Sequence, residues 1–135
     1  MKEFDSIIRE KIEHKLKIEY CFAPLSEQWI SVPGNSRLYP IQKQWNEEQQ
    51  QLINSFFVNL RIDEIVMLVW EVSCTEYSLI EDEFPQLCTD NECTMIFDKK
   101  YRFGVFVNPA RNEVVVLGRE LCDRFDENKE QLGLD

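Results

Sequence analysis

The sequence predicts an α+β domain with a mostly antiparallel sheet, with residues 1–135 forming a single globular unit. Three observations carry that expectation. Segments near 4–17, 43–60 and 119–131 repeat apolar residues at helical spacing. The run Ile65–Cys74 has one wholly apolar face and an opposite face that starts apolar (Ile65, Met67, Val69) and ends polar (Glu71, Ser73), as a central strand covered on both sides at one end would. Three shorter strand patterns between 94 and 117 are joined by tight polar connections, the signature of a meander. A chain of 135 residues is long enough to bury a core, and 44% apolar with 30% charged residues is an ordinary globular balance.

In chain order, Phe4, Ile7, Ile8, Ile12 and Leu16 form an apolar stripe, with Arg9, Glu10, Lys11, Glu13 and Lys15 between them. This is an amphipathic helix, with Asp5 or Ser6 available as its cap. The stretch to Gln42 carries Pro24, Pro33, Pro40 and Gly34-Asn35, so it reads as a short strand around Glu19–Phe22, irregular chain, and an extended piece at Arg37–Ile41. Trp29 lies in that proline-bracketed chain and is the one tryptophan not assigned to the core. A second helix places Trp45, Leu52, Ile53, Phe56, Phe57 and Leu60 on one face, opposite Glu47, Glu48, Gln50, Gln51 and Asn54. In Ile65–Cys74 the residues Val66, Leu68, Trp70, Val72 and Cys74 form one apolar face. Thr94–Asp98, Arg102–Val107 and Val114–Leu117 follow as the meander, the last a candidate edge strand. Gly118 then breaks the pattern before a closing helix bearing Leu121, Cys122 and Phe125.

Charge is distributed unevenly. Between Ile62 and Asp98 there are ten acidic residues and no Lys or Arg, and the rest of the chain holds 15 of each sign. The net charge of −10 therefore resides wholly in that stretch. Its densest part, CTEYSLIEDEFPQLCTDNEC (Cys74–Cys93), has Glu76, Glu81, Asp82, Glu83, Asp90 and Glu92 interleaved with Tyr77, Leu79, Ile80, Phe84 and Leu87. Such a charge balance disfavours nucleic acid and anionic membranes as partners and favours a basic protein surface or a cation. The carboxylates would speed encounter, and Tyr77 and Phe84 would anchor the complex. A solvated loop is the plain alternative.

Catalytic patterns are scarce. His14 is the only histidine and reads as solvated, which removes the usual base for a Ser or Cys nucleophile. Four glycines, at 34, 104, 118 and 133, make no phosphate loop. Glu81–Glu83 are adjacent carboxylates that could hold Mg²⁺ or divide acid and base roles, so a small metal-dependent enzyme using the 81–92 carboxylates is a competing reading. An oligomerising structural protein is another. Asp90-Asn91-Glu92 lacks the glycine of a calcium loop. No cofactor is implied. Five cysteines at irregular spacing, an apolar run no longer than Ile65–Trp70 and an amino terminus without an apolar leader point to a cytosolic chain with free thiols, a Cys88–Cys93 bridge being the minor option.

F-A-P (Phe22–Pro24), Trp29, Pro33, Ser36–Tyr39, the strand Leu68–Trp70, Tyr77, Met95–Phe106 and Val114–Leu121 together resemble a family of small bacterial proteins of unassigned function. That family has a histidine after the strand tryptophan and G-H-P-W in its hairpin. Here those places hold Ser73–Cys74 and Val107-Asn108-Pro109-Ala110. In size, acidity and α+β make-up the chain is also similar to immunity proteins of polymorphic or contact-dependent toxin systems. That resemblance implies an inhibitor that binds a cationic, nuclease-type toxin domain through Glu76, Tyr77, Glu81, Asp82, Glu83, Phe84, Asp90 and Glu92.

Overall fold

The computed structural model describes residues 1–19, 36–41, 44–85, 87, 93–109 and 112–134. Seven described strands form one sheet: β1 (Lys2–Glu3), β2 (Ser36–Pro40), β3 (Glu64–Val69), β4 (Ser73–Ser78), β5 (Thr94–Asp98), β6 (Gly104–Asn108) and β7 (Glu113–Leu117). Their spatial order is β1-β4-β3-β5-β6-β7-β2, with every pairing antiparallel. Three helices, α1 (Ser6–Glu19), α2 (Glu47–Asn59) and α3 (Arg119–Glu127), complete the α+β architecture.

The alternation of each strand divides its side chains between two cores. On one face Ile65, Ile96, Val105, Val107, Val114 and Val116 pack with Ile53, Phe56 and Phe57 of α2 and Leu121 and Phe125 of α3. The rings of Phe56 and Phe125 meet edge to face at 5.6 Å. On the other face Val66, Leu68, Cys74, Met95, Phe97, Phe106 and Val115 pack with Leu16 of α1. α2 begins at a capping box: Gln49 N donates to Asn46 Oδ1 and Asn46 N to Gln49 Oε1, both at 2.8 Å. This capping box starts the helix four residues after the predicted boundary and leaves Trp45 outside it, where the indole donates to Leu132 O at 2.9 Å. α3 likewise ends at Glu127, short of 131.

Four expectations need correction. The strand predicted over 65–74 is a hairpin, β3 and β4 joined by Trp70-Glu71-Val72, with Glu71 in the left-handed region at φ 61°. Leu68 stands opposite Cys74, and both numbers are even. The folded hairpin therefore keeps Val66, Leu68 and Cys74 on one face, as a straight strand would, and only Val72 escapes to solvent. Periodicity alone cannot separate the two cases.

The face of α1 is the second correction. Asp5 caps it, its Oδ1 accepting from Ile8 N at 2.9 Å. Ile7, however, is 63% exposed and Ile8 is exposed too, whereas Glu13 and Leu16 are buried. The polar contacts explain the rotation: the Glu71 amide donates to Glu13 Oε2 at 2.5 Å, and Arg9 Nη1 donates to Val72 O at 3.3 Å. The bend of the hairpin thus holds the helix by its Arg9–Glu13 stripe. Third, β7 lies between β6 and β2, and the outer strands are β1 and β2. Pro40 sits in β2, where a missing amide is tolerated. Fourth, Glu19 ends α1; the rest of the strand expected at 19–22, and Trp29, lie outside the described residues.

Gly118 links β7 to α3 at φ 101°. A Cβ there would meet the Phe103 ring and stand 2.6 Å from Arg102 O, so both conformation and space require glycine.

Candidate functional site

The acidic loop leaves the end of β4. A tight turn follows Ser78: Asp82 N donates to Ser78 O at 2.9 Å, and Asp82 Oδ2 accepts from Ser78 N at 2.8 Å. Ser78 Oγ accepts from both Ile80 N and Glu81 N at 3.4 Å. Leu79 N donates to Asp63 O at 2.8 Å, tying the turn to the start of β3. The same Asp82 oxygen lies 2.7 Å from the Met1 amino group, and the two contacts hold its carboxyl below the usual carboxylate range. β1 makes this possible by pairing Lys2 with Glu76 and Glu3 with Thr75.

The turn pushes Ile80 outward to 81% exposure. Glu81 and Glu83 on either side of Asp82 are exposed as well. The expected anchors behave differently. Phe84 turns inward to the Phe57 ring at 5.9 Å, and Tyr77 packs on the same core from β4. Both support the loop from beneath, and the apolar group facing solvent is Ile80. Two aliphatic residues, Leu79 and Ile80, stand between Ser78 and the carboxylate run; Leu79 packs against the core, and the sequence alone does not say which of the two faces solvent.

The segment is also less uncompensated than its sequence suggests. Lys99, the first base after the acidic run, reaches Glu76 at 2.5 Å and Glu64 at 2.9 Å. Its two carboxylates raise the ammonium pKa, and Glu64 is lowered in return. Strand pairing brings the three together: Glu64 stands opposite Ser78 in β3–β4, while Lys99 follows Asp98, which pairs with Ile65. Linear counting cannot register that charge pairing. Glu76 is thus part of a structural ion pair, Glu81 and Glu83 are exposed and form no ion pair among the described residues, and Asp90 and Glu92 lie outside the described residues.

Cys74, Cys93 and Cys122 form no disulfide among the described residues, while Cys21 and Cys88 lie outside them. Burial pushes the Cys74 thiol up to about 11 and raises Cys122 as well, so neither is an activated nucleophile. Among the described residues no three His, Cys, Asp or Glu side chains are placed to hold a metal ion. No described helix is long and apolar enough to cross a membrane. Comparison with protein-family models, with curated proteins and with solved structures gives no match.

Proposed function

We propose that this chain is an inhibitor of the immunity type, which binds one cationic protein, a nuclease-class bacterial toxin domain, and covers its basic face. The observation that carries the reading is the turn Ser78–Asp82, which presents Ile80 to solvent next to the exposed carboxylates of Glu81 and Glu83. Carboxylates at such a tip accelerate capture of a basic partner, and a desolvated aliphatic residue lengthens the life of the complex. A turn already closed by Asp82 and Ser78 loses little further freedom on binding, which favours affinity. The net charge of −10 works in the same direction and disfavours nucleic acid and anionic membranes. Tyr77 and Phe84 act in this reading by supporting the loop, and Asp90 and Glu92, outside the described residues, belong to the same acidic stretch of the sequence.

The test immobilises the wild-type chain beside Ile80→Ser and Glu81→Lys/Glu83→Lys and exposes all three to native cell lysate at low and high salt. One basic protein retained stoichiometrically by the wild type, and weakly by both variants, is the expected result. Equal retention by all three removes the loop from the interface. No retained protein at all removes the inhibitor reading.

A further inference from the structure

We infer that a second surface of this molecule, the cleft between the α2–β3 connection and the β5–β6 turn, binds a phosphate-type oxyanion. The inference is independent of the acidic loop. The cleft encloses about 240 Å³ and draws Arg61 from one connection and Lys99, Lys100 and Arg102 from the other. These four bases stand immediately outside the acidic run on both sides, at 61 and at 99–102, and the fold brings them to one place because β3 and β5 are antiparallel neighbours. Four of the 15 bases of an acidic chain therefore line one cleft.

Three carboxylates, Asp63, Glu64 and Asp98, also line it, and two of them already have partners. Glu64 is held by Lys99. Asp98 is buried, and its Oδ1 accepts from Arg102 N at 2.6 Å and Phe103 N at 2.9 Å, closing the turn. Asp98 Oδ2 accepts from Arg102 Nε at 2.9 Å. That contact fixes the guanidinium through Nε, and its two terminal amino groups make no hydrogen bond among the described residues. This is the arrangement in which Arg offers a planar fork to two oxygens of one anion. Arg61 and Lys100 form no ion pair among the described residues, so two further cations are available to the same guest. The mixed lining means that an anion is held by directed donors and not by long-range attraction, since the molecule as a whole repels anions.

The probes are inorganic phosphate and pyrophosphate, titrated into the full chain while backbone amide NMR shifts are followed, with sodium chloride at matched ionic strength as control. Saturable shifts confined to 61–64 and 98–103 are expected, with pyrophosphate binding tighter than phosphate. Arg61→Gln/Lys100→Gln, which spares the Asp98–Arg102 turn, is expected to weaken binding by about tenfold or more, the cost of one lost charge-assisted hydrogen bond. Lys2→Gln, outside the cleft, is expected to leave binding unchanged. Shifts that are scattered, that sodium chloride reproduces, or that survive Arg61→Gln/Lys100→Gln would overturn the assignment.

Discussion

Replacing Glu13 with alanine separates two ways of docking α1 on the sheet. The sequence offers an isoleucine stripe, whereas the structure buries Glu13 to 8% exposure and gives its carboxylate the Glu71 amide at 2.5 Å and Arg9 Nε at 3.7 Å. Losing a hydrogen bond to a charged group costs about 1.5–3 kcal/mol. The substitution also removes the nearer of the two carboxylates beside Arg9, leaving Glu10 at 3.9 Å and a buried Nε that has no hydrogen bond, and it leaves the Glu71 amide without its acceptor. The upper end of the range, about 3 kcal/mol, is therefore expected. In a chain of this length that lowers Tm by about 10 °C. Urea unfolding followed by far-ultraviolet circular dichroism measures it, with Glu10→Ala on the solvent side of the helix as the control, expected within about 0.5 kcal/mol of wild type. Ile7→Ser is also expected to fall within about 0.5 kcal/mol, because Ile7 is already in water. Equal losses for Glu13→Ala and Glu10→Ala, or a large loss for Ile7→Ser, would refute the clasp and restore the isoleucine stripe. The clasp matters for the site because α1 follows β1, which pairs with Glu76, and Phe4 N donates to Cys74 O at 2.9 Å.

Other consequences are equally direct. Gly118→Ala forces a Cβ against the Phe103 ring in a left-handed conformation and is expected to cost about 2 kcal/mol or more in the same unfolding assay; a neutral result would show that the β7–α3 link relaxes freely. Tyr39 donates to Asp126 Oδ1 at 2.5 Å, and burial pushes its phenol up to about 12. Because the folded pKa is raised, this contribution is whole below pH 10 and is lost as pH rises from 10 to 12, which Tyr39→Phe would abolish in a pH series of unfolding curves. Asp82 has the opposite sign: its pKa is lowered, so its contribution is present above the ordinary carboxylate value near 4 and disappears as pH falls through the depressed one. Asp82→Asn is expected to flatten that acid limb, and an unchanged limb would argue that the turn does not depend on the charge.

Much of the fold was legible because local signals agreed. β5 matches the predicted Thr94–Asp98, and the Gly118 break and the Asp5 cap stand where residue chemistry put them. Failures arose where a long-range polar contact outweighed periodicity. Glu13 buries itself for the Glu71 amide, and no feature of residues 4–17 announces a partner 58 positions away. The Trp70–Val72 turn keeps even-numbered residues in phase across the hairpin, so alternation reads through it. At the site, the acidic run was visible, but the pairing of Glu76 with Lys99 and the inward turn of Phe84 depend on strand register. Which of Leu79 and Ile80 faces solvent depends on the turn that Asp82 closes, a contact that residue spacing does not encode.

The most direct test of the proposed role is the association rate between this chain and a basic protein captured by it from lysate, should the capture experiment yield one, measured by stopped flow across a range of ionic strengths. Wild type is expected to associate fast at low salt and to slow steeply as salt rises, and Glu81→Lys/Glu83→Lys to associate at least about tenfold more slowly with a flatter salt dependence, both remaining folded. Identical rates and identical salt dependence for the two chains would contradict the acidic loop as the docking surface.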